Sequence, residues 1–336
     1  MFVEKCQMME YDLRKLYFMG ELHMAMKKVE VANFNVVFME KENEAPLLKY
    51  FDSIVMPALK SGIKRVDGDT SYLFTDIEII KDTENDYVLV GNIVKKTVIE
   101  IKSDLDSVGN LVDKDDRYSA APYSAFAIYL KNHRMIFVPN QKGSPTIKTF
   151  SAVVKYVLSQ YIKQYNAGQE DEQKYLPYPY ISIVGIPMRG KIEKALQDVY
   201  KIRKLTLRFY PLNGDLEFGE LFGGVITDMR RRSNTKNGEV VLRSPQNVNG
   251  VIEIIEQSSG TVKPIIEVTY PDKSKGKITE DTISERMEME FSGNNLQEAE
   301  ELVNKGKLIE NINFVSDGNA RIYEHYKSKI MKFLSK

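Results

Sequence analysis

The sequence of 336 residues has little cysteine, no tryptophan and no net charge. Cys6 is the single cysteine, so an internal disulfide is impossible and no second thiol exists for a zinc or iron-sulfur site. The 47 basic residues balance 47 acidic ones, which excludes a uniformly basic nucleic-acid coat and a polybasic membrane anchor. From the cysteine content we expect a reducing, cytoplasmic location.

Long hydrophobic runs are also missing. No stretch approaches the roughly 18 apolar residues that cross a bilayer, and the first residues lack the apolar middle region of a signal peptide. We therefore expect no membrane partner. Residues 1–28 instead mix methionine and leucine with charges, which predicts an amphipathic helix. The abundance of lysine, isoleucine and asparagine favours a bacterial or phage source.

Hydrophobic alternation dominates the first half of the chain and predicts a mostly antiparallel sheet flanked by helices. Polar turns such as 82–86 and 132–133 separate the strands. The segments predicted as strands are 29–38, 71–80, 87–94, 97–102 and 123–138. The segments predicted as helices are 44–59 and 144–165.

A polar segment with glycine and proline, 166–178, is the best linker, and we predict domains at 1–168 and 178–336. The second half begins with a strand, a helix and a strand at 180–186, 191–200 and 204–210. A β-rich stretch at 240–242, 251–255 and 264–270 and helices near 296–303 and 320–334 follow. The predicted fold class is α+β, with an N-terminal antiparallel sheet followed by an α/β domain that has a β-α-β unit and C-terminal helices.

Glu100 and Lys102 are the best catalytic candidates in a chain without a phosphate-binding loop or a metalloprotease motif. A period-two strand places both side chains on one face. The carboxylate can hold Mg²⁺ while the ammonium orients a water, if a second carboxylate from Asp76 or Asp86 enters the site. The same spacing also suits a solvated ion pair, which contributes little.

Asp76 followed by Glu100-Ile101-Lys102 is similar to the motif of PD-(D/E)xK nucleases. The resemblance covers about one tenth of the chain, and neither Asp76 nor Asp86 follows the proline of that motif. It implies a magnesium-dependent nuclease with Asp76, Asp86, Glu100 and Lys102 as catalytic residues. Asp76 and Glu100 would then bind the metal. No other cofactor is implied.

Charge is unevenly distributed in the second half, although the total is zero. Window 186–245 holds twelve basic and seven acidic residues, a net of +5, whereas window 246–301 holds five and twelve, a net of −7. Arginine forks match phosphate oxygens, and exposed rings stack on unpaired bases, so Tyr200, Phe209 and Tyr210 are candidate stacking residues. The predicted nucleic-acid-binding residues are Arg203, Lys204 and Arg208 around one strand and Arg230, Arg231, Arg232 and Lys236 in a polar loop.

Three hypotheses follow for the function. We favour a cytoplasmic bacterial or phage protein that binds nucleic acid or a phosphate-bearing ligand. A role in antiviral defence is a general expectation for such a protein and rests on no particular residue. The second hypothesis is the magnesium-dependent nuclease. The third is a non-catalytic protein that binds a protein partner or forms a homo-oligomeric scaffold.

Overall fold

The protein has two antiparallel sheets with helices packed against them. The computed structural model describes residues 24–40, 43–213, 226, 228–230, 232–293, 296 and 298–334. The elements are β1 (Met24–Met39), β2 (Glu44–Pro46), α1 (Met56–Lys60), β3 (Arg65–Asp67), β4 (Thr70–Lys81), β5 (Tyr87–Leu105), β6 (Leu111–Ala120), β7 (Tyr123–Tyr129), β8 (Arg134–Pro139), α2 (Ile147–Ala167), β9 (Pro179–Gly185), α3 (Arg189–Leu196), β10 (Lys201–Phe209), β11 (Gly238–Arg243), α4 (Val248–Gln257), β12 (Lys263–Thr269), β13 (Lys275–Thr279), α5 (Glu280–Ile283), β14 (Arg286–Ser292), α6 (Ala299–Lys307), α7 (Glu310–Asn313) and α8 (Asp317–Met331). The predicted α+β class is confirmed.

The larger sheet has ten strands in the order β14-β1-β8-β7-β5-β4-β3, with β2 and β9 paired to β1 and β6 paired to β5. Helices cover both faces. Phe150 and Leu158 of α2 pack on one face together with Tyr323 of α8, while Leu302 of α6 and Ile312 of α7 pack on the other. Burial on both faces explains why central strands such as β7 read as continuous apolar runs.

The smaller sheet has the strand order β11-β10-β12-β13. Alternation along β10 and β12 sends Leu205, Leu207 and Ile266 to one face, where they pack against Ile192 of α3 and Ile255 of α4. Helices α3 and α4 leave the opposite face of this sheet uncovered.

Buried polar groups connect the two sheets. Arg134 is 1 % exposed, and its guanidinium donates a 2.8 Å hydrogen bond to the carbonyl oxygen of Ser259. The side-chain amide of Asn33 donates to the same oxygen at 3.0 Å, and that of Asn35 donates to the carbonyl oxygen of Pro211 at 2.6 Å. These bonds satisfy polar groups that would be costly to bury alone and hold the smaller sheet against β1.

Three sequence predictions of secondary structure are corrected. Residues 1–23 of the predicted N-terminal helix lie outside the described residues, and 24–28 belong to β1 because Lys27 lies opposite Met289 of β14. Residues 251–255 were predicted as a strand, yet they lie in α4, whose N-terminus is capped by Asn247 accepting from the Gly250 amide. Segment 44–59 starts as the short strand β2 and is helical from Leu47 onward.

Strands from beyond the predicted linker join the larger sheet. Both β9 and β14 pair with β1, and Tyr323 and Ile330 of α8 lie in the core beside α2. The division into 1–168 and 178–336 stays a prediction. Within the described residues, no helix is long and apolar enough to cross a membrane.

Candidate nucleic-acid interface

The exposed face of the smaller sheet is rich in cations. Strand register places Lys204 opposite Arg243 and Glu267, and Glu267 opposite Lys277, so one row of charged side chains crosses all four strands. Lys201 lies opposite Thr269, which lies opposite Lys275 in the next row. Directly paired residues in antiparallel strands point to the same side of the sheet.

We call this surface the basic sheet face. Its charged members are eight basic residues and two carboxylates, a net charge of +6. The members are Lys201, Arg203, Lys204, Arg208, Arg243, Lys263, Lys275, Lys277, Glu239 and Glu267. Arg203 joins it because a bulge between Ile202 and Lys204 inserts one extra residue in β10.

Glu267 neutralises part of the basic sheet face. Its carboxylate accepts from Arg203 at 2.8 Å and from Lys204 at 2.6 Å, and these two contacts hold the pKa of Glu267 below its ordinary value, with Lys204 the larger cause. Arg208 pairs with Glu239 at 2.6 Å, also across neighbouring strands. The three predicted binding residues Arg203, Lys204 and Arg208 therefore lie together, but each is engaged with a carboxylate.

Four cations of the basic sheet face remain available to a ligand. Lys201, Arg243, Lys275 and Lys277 are exposed, and none of them makes an ion pair with any residue that the structure describes. Sequence reasoning missed these as binding residues, together with Lys263. Residues two apart in a strand point to the same side of the sheet, so Lys275 and Lys277 share one side. The sequence indicates this arrangement once 275–279 is recognised as a strand.

Among the three candidate stacking rings, Tyr200 alone is exposed. It is 76 % accessible and immediately precedes Lys201 at the edge of the basic sheet face. Phe209 and Tyr210 are 2 % and 3 % exposed and belong to the core of the smaller sheet. They could stack on bases only if they faced outward, and alternation along β10 instead turns Phe209 inward with Leu205 and Leu207.

The predicted arginine loop has a different structure. Residues 228–230 and 232–233 are helical, and Arg231 lies outside the described residues. Arg230 is 7 % exposed and donates to Glu44 at 2.6 Å, so its guanidinium holds β2 rather than facing solvent. Arg232 and Lys236 are exposed. A flexible loop of converging arginines is therefore the wrong description of this segment.

Glu100 and Lys102 do share a face, but that face is open to solvent. They lie where β5 and β6 extend as a two-stranded ribbon, with their charged groups 3.2 Å apart. Lys102 also contacts Asp115 at 3.0 Å, and Arg117 contacts Glu100 at 3.1 Å. The Lys102 side chain is 60 % exposed. These residues therefore form solvated ion pairs, the alternative to a catalytic site that the sequence also allowed.

The predicted metal pair, Asp76 and Glu100, is not brought together. Asp76 accepts a 2.9 Å hydrogen bond from Asn92, which precedes Glu100 by eight residues on the same strand. At about 3.3 Å per residue, that separation is roughly 26 Å. A shared magnesium ion needs both carboxylates within coordination distance, so the expected nuclease site is not assembled.

Asp86 lies in a different cluster, at the turn between β4 and β5. Its carboxylate pairs with Lys131 at 2.7 Å. Asp82, Glu84 and Asp86 present oxygens within 4.8 Å of one another, but Lys307 of α6 reaches Asp82 at 3.5 Å and Glu84 at 3.2 Å. Each of the three carboxylates thus contacts a lysine, and Lys307 attaches the turn to α6.

The fold and the basic sheet face define a two-sheet α+β protein with a cation-rich sheet surface. Residues 27–249 match the family described as a domain of unknown function, DUF4747. This match spans about two thirds of the chain, so the protein belongs to that family. The comparison with curated proteins found no match. The matched range includes β10 and β11 and ends before β12 and β13.

Proposed function

We propose that this protein binds nucleic acid through the basic sheet face, by contacts with the sugar-phosphate backbone. The observation that supports this proposal is a group of four exposed cations on one sheet surface that make no ion pair with the described residues, namely Lys201, Arg243, Lys275 and Lys277. Lysine and arginine that neutralise phosphates release condensed counterions, and this release supplies most of the affinity of sequence-independent binding.

Single-stranded nucleic acid is the substrate class that this surface fits best. Tyr200 offers one exposed ring next to Lys201, and a ring beside a row of cations suits an unpaired base whose neighbouring phosphates lie on the sheet. We propose a cytoplasmic location, supported by the single cysteine.

The test is fluorescence anisotropy with labelled 20-nucleotide single-stranded DNA, single-stranded RNA and duplex DNA over a series of salt concentrations. The variant carries Lys275→Ala and Lys277→Ala, which removes two exposed cations from the edge strand β13. Each phosphate contact on a single strand contributes a slope of about 0.7 in log affinity against log salt. Losing both contacts should therefore reduce the slope by about 1.4 and weaken binding roughly 25-fold at ~0.1 M salt.

A matched control removes the same charge elsewhere. Lys155 and Lys163 are exposed on α2, two turns apart, and the double variant Lys155→Ala, Lys163→Ala should bind like the unmodified protein. Equal losses in both double variants would mean that net charge, and not the basic sheet face, determines binding. Absence of binding to all three probes at low salt would refute the proposal.

A further inference from the structure

A cavity of about 690 Å³ lies on the side of the larger sheet that α6 covers. Its floor is formed by β4, β5 and β7, and Ala299 and Leu302 of α6 form part of its wall. Its volume falls within the range of small-molecule sites, which are concave and largely apolar with a few polar groups. The cavity is separate from the basic sheet face, which belongs to the other sheet.

An irregularity in β4 shapes the cavity. The register between β4 and β5 shifts between Thr75 and Glu78, and Asp76 has a φ of +54°. Opposite this bulge, Gly91 leaves room for Ile77, since a Cβ on Gly91 would lie 2.3 Å from the Ile77 Cδ1 atom. The bulge therefore turns Asp76 toward the cavity while Ile77 packs into the core on the other side of the sheet.

Two carboxylates, Asp76 and Glu78, line this cavity, and no lysine or arginine is among the described residues that line it. Asp76 accepts one hydrogen bond, from Asn92, and Glu78 makes no hydrogen bond or ion pair with the described residues. This differs from Asp86, which is paired with Lys131. Both residues are exposed, so water partly screens their charges, and the negative potential that remains beside the apolar walls attracts a cation.

Tyr123 also lines the cavity. Its hydroxyl oxygen accepts from the Leu296 amide at 3.0 Å. Burial raises the pKa of Tyr123, the hydrogen bond from Leu296 opposes that effect, and the negative charge of Asp76 adds to it. Val90, Ala125 and Leu302 add apolar surface to the lining.

We infer that this cavity binds a small organic cation, an ammonium or guanidinium group attached to an apolar body. Asp76 and Glu78 accept hydrogen bonds from the cationic group, and the walls from β5 and α6 enclose the body. Charge-assisted hydrogen bonds of this kind are about twice as strong as neutral ones. A bare divalent ion fits less well, because calcium and magnesium need about six oxygen ligands and the lining supplies two carboxylates.

The experiment measures binding of two cationic probes, phenethylamine and agmatine, to the full chain by isothermal titration calorimetry. Phenethyl alcohol has the shape of phenethylamine without its charge, and 3-phenylpropionate carries the opposite charge. Phenethylamine should bind saturably and at least about tenfold more tightly than phenethyl alcohol, while 3-phenylpropionate should not bind. An N-acetyl lysine amide distinguishes a lysine side chain of a peptide from a free amine as the source of the cation.

Three variants assign the binding to the cavity. Asp76→Asn removes the charge and keeps the positive φ, which asparagine tolerates well, and Glu78→Gln removes the second charge. Each substitution should lower the affinity for phenethylamine about tenfold. Ala299→Leu narrows the cavity from α6 and should weaken binding, whereas the exposed control Glu170→Gln should leave it unchanged.

Several outcomes would overturn this inference. These are no binding of either cationic probe at millimolar concentration, equal affinity for phenethylamine and phenethyl alcohol, or unchanged affinity in both Asp76→Asn and Ala299→Leu. Thermal melts of each variant show whether it is folded, and Glu78→Gln offers a second charge-removing variant if Asp76→Asn is unstable. Nucleic-acid binding is measured independently, because none of these residues belongs to the basic sheet face.

Discussion

Replacing Glu267 by glutamine should strengthen nucleic-acid binding. Glu267 is the carboxylate that engages both Arg203 and Lys204, at 2.8 and 2.6 Å. Glutamine keeps the size and shape of the side chain but removes its charge, so both cations become available to phosphates. The net charge of the basic sheet face rises from +6 to +7, counted over the same residues. A gain of affinity is informative because structural damage rarely improves binding.

The magnitude follows from counterion release. Each additional phosphate contact on a single strand adds about 0.7 to the salt slope and roughly fivefold to the affinity at ~0.1 M salt. Freeing Arg203 and Lys204 should therefore steepen the slope by up to about 1.4 and tighten binding between roughly 5-fold and 25-fold. The assay is anisotropy with a labelled 20-nucleotide single strand, with affinities measured at five or more salt concentrations.

The control for this prediction is Glu288→Gln. Glu288 is exposed on β14 in the larger sheet, and its replacement changes the total charge by the same amount away from the basic sheet face. Tighter binding in both variants would assign the effect to net charge. Weaker binding or an unchanged slope in Glu267→Gln would show that Arg203 and Lys204 do not meet phosphates, and the reasoning would be refuted.

Three further predictions concern stability. Arg230→Ala should lower the free energy of unfolding by about 1.5 to 3 kcal/mol in urea titrations, because it removes a charged hydrogen bond to Glu44, and an unchanged midpoint would contradict this role. Gly306→Ala should cost about 1 to 3 kcal/mol, since its Cβ would lie 2.0 Å from the Tyr129 hydroxyl, and a wild-type melting temperature would refute the clash. Because the pKa of Glu267 is lowered in the folded state, its ion pairs stabilise the protein above the ordinary carboxyl pKa and are lost as pH falls through the lowered value. Glu267→Gln should therefore be less stable than wild type at pH 7 and equally stable below that value, and a difference that persists in acid would exclude this cause.

Strands with a strong hydrophobic signal could be predicted from the sequence. Segments 29–38 and 71–80 lie within β1 and β4, and 123–138 contains β7 and β8 joined at the predicted turn. Segment 251–255 was wrong because a short apolar run fits a strand as well as one side of a helix. Strand β6, with the sequence LVDKDDRYSA, was missed since both of its sides are polar and it pairs along a solvent-exposed ribbon.

The sites were harder to predict than the strands, because they depend on register. The motif resemblance required Asp76 and Glu100 to meet, and nothing in the spacing shows that Asp76 lies beside Asn92 instead. The bulge that turns Asp76 toward the cavity is likewise invisible in the sequence, since aspartate at positive φ depends on tertiary contacts such as Ile77 packing over Gly91.

Charge counting along the chain does not identify all the strands that form the basic sheet face. The window 246–301 has a net charge of −7, yet it supplies Lys263, Lys275 and Lys277 to the basic sheet face. Most of its carboxylates lie elsewhere, on α4, α6 and β14 or next to them. Antiparallel pairing sorts side chains by face and by row, so β12 and β13 place their lysines beside those of β10 whatever the sum over the window. The net charge of a sequence window therefore says little about which surface attracts an anion. Strand pairing determines where the cations gather. The four unpaired cations come from β10, β11 and β13, so neither window alone contains the proposed interface.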